Sequence, residues 1–418
     1  MRVTTGTWLN PAALFALWWC IGGISPLLVA PNEPVAPAAM AWVILASICV
    51  SAGAIIGNRG FKTYHPQEPP LPRQLERSVL SAIMLVSVVL GVGSSVAFAS
   101  GTGFSLGDLF NIDRLVSFAS ETYSSRFGEV ESVAPAASRA LLPFVYLAPT
   151  VGGIIYALRR ERRWKLLALS TMLPAIVVTL LQTTKAAILF GGSLWLSSYF
   201  ATRLRLGRLG VFTRGHVVTA MLIGGTATVF FVGIGLSRYA STDLSLLAVV
   251  QVKLVTAAFG HMSVFSSWLI DYSRQPFEPT LGGYTLAGPL EMIGLGRRVP
   301  GLFDNPIELI AGETSNIFTG FRPLIEDFTL PGALVVLTGL GVAGGAAFRL
   351  ASRGGWGAVP VLVAVYVTIL WTPITWFWVY NSLIAAVFAM ALAVWILRTW
   401  RRSAQTRLLP DKTVSQQQ

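Results

Sequence analysis

The residues best suited to chemistry are a few cations and acids set apart from the basic bulk of the chain. Residues 312–332 read GETSNIFTGFRPLIEDFTLPG. Glu313, Arg322, Glu326 and Asp327 gather there among aromatic residues, where an apolar run begins. A carboxylate so placed can take a proton from a hydroxyl or orient an arginine. The competing reading is a capped helix start, because acids favour helix N-termini. Arg322 and Glu326 also stand four apart, the spacing of a helical ion pair. Arginine makes paired hydrogen bonds to phosphate oxygens. Arg238, Arg322, Lys185 and Arg274 are therefore candidate pyrophosphate-binding residues, with lipid headgroups and nearby acids as the alternative partners. Lys185 lies in the short turn LQTTKAAIL, either snorkelling to the interface or held rigidly toward an anion. His261 joins Asp327 and Glu326 as a candidate base, although a lone histidine in an apolar helix is more often structural. Tyr239, Tyr272 and Tyr284 are candidates for stacking on sugars, against simple interfacial packing.

The elements that position these residues belong to a membrane. The chain has 418 residues, 54% of apolar type and only 12% charged. Soluble domains carry about 25% charged residues. A spanning helix needs about 20 mostly apolar residues. Ten segments fit, at roughly 8–30, 37–57, 79–100, 140–158, 166–182, 186–201, 217–236, 323–348, 357–373 and 379–397. With the N-terminus inside, the inner segments hold 21 basic and four acidic residues, and the rest of the chain ten basic and 15 acidic. That asymmetry follows the positive-inside rule and predicts an all-α polytopic protein with both termini cytoplasmic. The formal charge of +12 then anchors orientation at an anionic leaflet and gives no reason to invoke nucleic acid. Residues 244–270 are also apolar, but Gln251, Lys253 and His261 within them are costly in lipid. Counting them as a span would move the arginine tail outside, so they read as an interfacial or re-entrant helix.

Two outer segments are long. Within 101–139, Ile112, Leu115, Val116, Ala119, Tyr123, Phe127 and Val130 recur at helical spacing, as in a helix lying on a membrane. Residues 237–322 form a large loop punctuated by proline and glycine. The polar tail 403–418 reads as disordered. Nine of the ten spans contain no Asp, Glu, Lys or Arg; Glu326 and Asp327 are the exception. This disfavours an ion-coupled transporter, which needs ionisable groups near the midplane, and places any chemistry at the outer interface. Gly339, Gly341 and Gly344 match G-x-G-x-x-G but fall inside a span, so they read as close helix packing. The two cysteines, Cys20 and Cys49, lie in apolar runs and imply neither a disulfide frame nor a metal site.

The stretch ETSNIFTGFRPLIEDFTLPG resembles the Thr-Asn-aromatic-Thr…Phe-Arg…Asp-Phe-Gly…Gly signature of bacterial oligosaccharide repeat-unit polymerases, the O-antigen and capsule polymerases. Ser315 stands where that pattern usually has Thr, and Thr329 where it often has Gly. The turn QTTKAAIL is similar to the family's short basic turn, with Lys185 where Arg is common. Detailed resemblance covers about a tenth of the chain; the rest is similar only in layout. The resemblance implies a GT-C-like helical membrane fold in a bacterial inner membrane. It implies an inverting glycosyltransferase that uses neither metal nor cofactor. Donor and acceptor would both be oligosaccharides on undecaprenyl pyrophosphate, among membrane lipids, with a chain-length regulator as a conceivable protein partner. Three other readings stay open: an O-antigen ligase using the same donor, a polyprenyl-linked glycan flippase or other transporter, and a membrane scaffold.

Overall fold

The computed structural model describes residues 7–60, 73–105, 107–108, 111–127, 135–182, 184–208, 225, 228–236, 246–274, 278–295, 303, 306–310 and 312–408. Most of these are helical. The helices are α1 (Pro11–Val29), α2 (Pro37–Gly60), α3 (Arg73–Gly101), α4 (Ile112–Phe127), α5 (Ala136–Leu158), α6 (Arg162–Ser170), α7 (Leu173–Leu181) and α8 (Lys185–Arg205). After them come α9 (Leu247–Phe259), α10 (His261–Tyr272), α11 (Ala287–Met292), α12 (Phe321–Ser352), α13 (Ala358–Trp371) and α14 (Asn381–Leu408). The described residues contain one small antiparallel pair, β1 (Ile307–Glu308) with β2 (Thr314–Ser315).

Among the described residues, seven helices are long and apolar enough to cross a membrane, or eight if a bent pair counts as one span. The count stops short of ten for separate reasons. The 186–201 segment is the 21-residue α8, with Lys185, Arg203 and Arg205 at its ends. The 357–373 segment is α13, an apolar helix of 14 residues. Of 217–236, only 225 and 228–236 are described, as helix. Residues Ile112–Phe127 of the expected amphipathic segment form the helix α4, whose Phe118 packs on Phe98 and Phe104. Val130 lies outside the described residues. The tail departs from expectation, because α14 continues through Leu408; 409–418 lie outside the described residues.

Glycine pairs set the tightest helix contact. A Cβ added to Gly53 or Gly57 of α2 would collide with the carbonyls of Thr338 or Val342 of α12. One added to Gly341 or Gly345 of α12 would collide with the carbonyls of Val50 or Ala54. Small residues four apart on both partners let the backbones touch, which is how helices gain packing where lipid gives no hydrophobic drive. Gly344 packs against Val365 and Pro11, whereas Gly339 faces open space. The expectation of close packing therefore holds at Gly341 and Gly344 and fails at Gly339.

The paired residues rise together along α2 and α12, so these helices run parallel. The same is true of α5 and α8, where Gly153 abuts Trp195 and Tyr156 abuts Tyr199. In contrast, α3 and α5 are antiparallel, with Gly91 near Phe144 and Gly101 near Pro135. The α9–α10 pair is bent by 59° at Gly260, as in a broken span or a re-entrant segment.

Two cores result. One joins α5, α8, α13 and α14. The other gathers α1, α2, α10, the start of α12 and the loop before it around Trp19, Trp42, Phe265, Phe318 and Phe321. The candidate site lies in the second.

Candidate functional site

The site is built on a break in α12. Thr329 has φ 65° and ψ 173°, a region that only glycine occupies without strain. Two residues on, Pro331 has no N–H to return to the carbonyl of Asp327. Carbonyls freed by the break must find other donors. Leu281 N–H donates to the Asp327 carbonyl at 3.1 Å, and Thr280 N–H to that of Glu326 at 3.2 Å. The Asp327 side chain extends this grip on the 280–285 turn. It accepts from the Tyr284 N–H at 3.0 Å, the Thr285 N–H at 2.6 Å, the Thr285 hydroxyl at 2.5 Å and the Thr280 hydroxyl. Asp327 is fully buried and its two oxygens are saturated. It clasps the 280–285 turn, and this occupancy argues against the expected role as base.

Before the break, the first turns of α12 carry Arg322 and Glu326. Arg322 Nε donates to Glu326 Oε1 at 2.8 Å, and the two side chains are only 12% and 6% exposed. The guanidinium carbon lies 3.7 Å from the ring centre of Phe303 and 3.9 Å from that of Phe318, with Trp268 at 5.4 Å. Aromatic faces carry partial negative charge and attract a cation between them. Tyr284 stacks on Phe303 at 5.4 Å, and Tyr272 packs on Trp268 at 5.2 Å. Behind this layer, Phe321 stacks on Trp19 at 4.6 Å, and the Trp19 ring N–H donates to the Thr372 hydroxyl.

Two features of the pair are unspent. Among the described residues, the one hydrogen-bond acceptor of the Arg322 guanidinium is Glu326 Oε1. Glu326 Oε2 is buried and accepts no hydrogen bond of good geometry among the described residues, although the Trp268 side chain also approaches this carboxylate as a donor. A buried ion pair is costly unless its remaining donors and acceptors are met. Arg322 thus presents terminal N–H groups on a plane fixed by two rings, beside a carboxylate oxygen able to accept a proton.

The other expected residues fall variously. Tyr272 and Tyr284 join Arg322 and Glu326. His261 is buried in the same core, but its ring nitrogens lie 3.2 Å from the Ala258 carbonyl and 3.0 Å from that of Gly22. It ties the α9–α10 bend to α1, a structural task rather than that of a base. Arg274 is exposed in the turn after α10. Lys185 opens α8, whose buried face belongs to the first core, and is half-buried. Arg238 and Tyr239 lie outside the described residues. Trp268, Phe303 and Phe318 were not among the expected site residues; only Phe318, inside the 312–332 stretch, carried a signal. Among the described residues, no group of three or more His, Cys, Asp or Glu could hold a metal ion. No protein-family model, curated protein or solved structure matches the chain.

Proposed function

We propose that this protein is a membrane glycosyltransferase that polymerises undecaprenyl-pyrophosphate-linked repeat units, on a GT-C-like scaffold of ten spans with both termini cytoplasmic. The observation that carries this reading is the coincidence of two independent features. The 313–332 stretch bearing the family resemblance also supplies Phe318, Arg322 and Glu326, the centre of the desolvated cation site.

In this reading an acceptor sugar hydroxyl attacks the donor's anomeric carbon. The new C–O bond forms as the bond to pyrophosphate breaks, and the lipid pyrophosphate leaves with the electron pair. Arg322 holds the charge developing on it, an interaction strongest in the transition state. The hydroxyl proton passes to Glu326 Oε2. Arg238, Lys185 and Arg274 are further candidates for the pyrophosphate.

Purified protein in proteoliposomes, given a lipid-linked repeat unit, is expected to produce longer chains. Arg322→Ala abolishes elongation without loss of membrane insertion, and Glu326→Gln lowers turnover by about 10²–10⁴. Elongation by Arg322→Ala at the normal rate would remove this site from the reaction. Transfer to a lipid core acceptor, without chain growth, would instead identify a ligase.

A further inference from the structure

The outer loop carries an apolar surface that the site does not use. At the end of α11, Met292, Ile293 and Leu295 are 66%, 67% and 74% exposed. Gly294 adopts φ 74°, and the N–H groups of Gly294 and Leu295 return to the carbonyls of Glu291 and Leu290. This is the glycine-capped end of a helix, which ordinarily tucks the following apolar residue against its own last turn. Here that residue, Leu295, points away.

What covers it is indicated by where α11 is seated. Glu291 accepts a hydrogen bond from the Asn381 side chain at 3.2 Å, and a Cβ at Gly288 would strike Val379 and Asn381. Asn381 is the first residue of α14. Seven residues on, and so on the same helix face, begins the stripe Phe388, Leu392 and Trp395, all exposed on an apolar helix of membrane-spanning length. The α11 turn therefore caps the end of the lipid-facing stripe of α14.

We infer that the Met292–Leu295 turn is a membrane-docking element, inserted into the leaflet at the Asn381 end of α14. Apolar side chains on such elements sit about 5–10 Å into the headgroup and acyl boundary. The loop that docks also contains the 280–285 turn clasped by Asp327, and Tyr284 over Phe303. Docking thus ties the outer wall of the Arg322 site to the lipid surface. The inference stands whatever reaction that site performs.

The test uses full-length protein in which Cys20 and Cys49 are replaced by Ala. Met292→Cys and Leu295→Cys are each labelled with an environment-sensitive fluorophore in phosphatidylcholine–phosphatidylglycerol vesicles, with Phe388→Cys as the lipid-facing reference. Bromine-labelled acyl chains are expected to quench both turn positions to at least half the extent seen at 388, with severalfold weaker quenching by aqueous iodide. Strong iodide quenching at both positions overturns the inference, since the turn then lies in water. Protection from both quenchers, with disulfides forming between copies, also overturns it and assigns the surface to a second copy of the chain.

Discussion

Arg322 is constrained on every side that the fold can supply. Glu326 fixes Nε, Phe303 and Phe318 fix the plane of the guanidinium, and Trp268 closes a third side. Such restraint removes rotamer freedom that a ligand would otherwise have to quench. Replacing either Phe303 or Phe318 by Leu keeps an apolar side chain of somewhat smaller volume and removes the aromatic face. Each change is expected to weaken the restraint by about 0.5–2 kcal/mol. In the elongation assay it should raise KM for the lipid-linked substrate severalfold and leave thermal stability nearly unchanged. A large drop in Tm with KM intact would make the rings mere core. At this scale the stretch 312–332 was legible as chemistry because its charges are out of place in an apolar run. Trp268 and Phe303 were not, since aromatic residues in a membrane protein have many packing uses. Asp327 and Glu326 are neighbours of identical charge, and only their partners separate a clasp from an unspent carboxylate.

Among the elements, α12 carries both the break and the tightest contact. Thr329 holds a backbone conformation costing about 1–3 kcal/mol in a side-chain-bearing residue. Thr329→Gly is expected to relieve that strain, partly offset by about 0.5–1 kcal/mol of glycine's added unfolded-state freedom. A rise of a few degrees in Tm in detergent is the expected outcome; a fall would show that the Thr329 side chain is needed at the break. The glycine seam gives a paired contrast. Gly53→Leu forces a side chain into the α12 backbone and should abolish recovery of folded protein. Gly339→Ala, on α12 but facing open space, should be neutral or stabilise by about 0.5–1 kcal/mol. Both glycines look alike as letters in a helix. Position relative to a partner helix distinguishes them.

Across the whole molecule, helix direction constrains topology more tightly than composition does. Because α2 and α12 run parallel, Asn58 and Ser352 must lie on one side of the membrane. The Arg349 side chain joins these ends by donating to the Asn58 carbonyl at 2.6 Å. In a cysteine-free background, Asn58→Cys and Ser352→Cys are expected to react with an impermeant maleimide from the same side only. Labelling from opposite sides would overturn the parallel packing of α2 and α12.

From sequence alone came the membrane class, the positions of most spans, the charge asymmetry and the 312–332 stretch. These are properties of local composition, written in runs of about 20 residues or fewer. Tertiary structure alone decided which residues form the site. It brought Trp268, Phe303 and Phe318 around one guanidinium, gave Asp327 four donors and left Glu326 Oε2 without one. It also turned His261 into a tie between helices. Each outcome depends on contacts between residues tens to hundreds of positions apart. A carboxylate's role is set by the donors that reach it, and a linear pattern does not record who arrives.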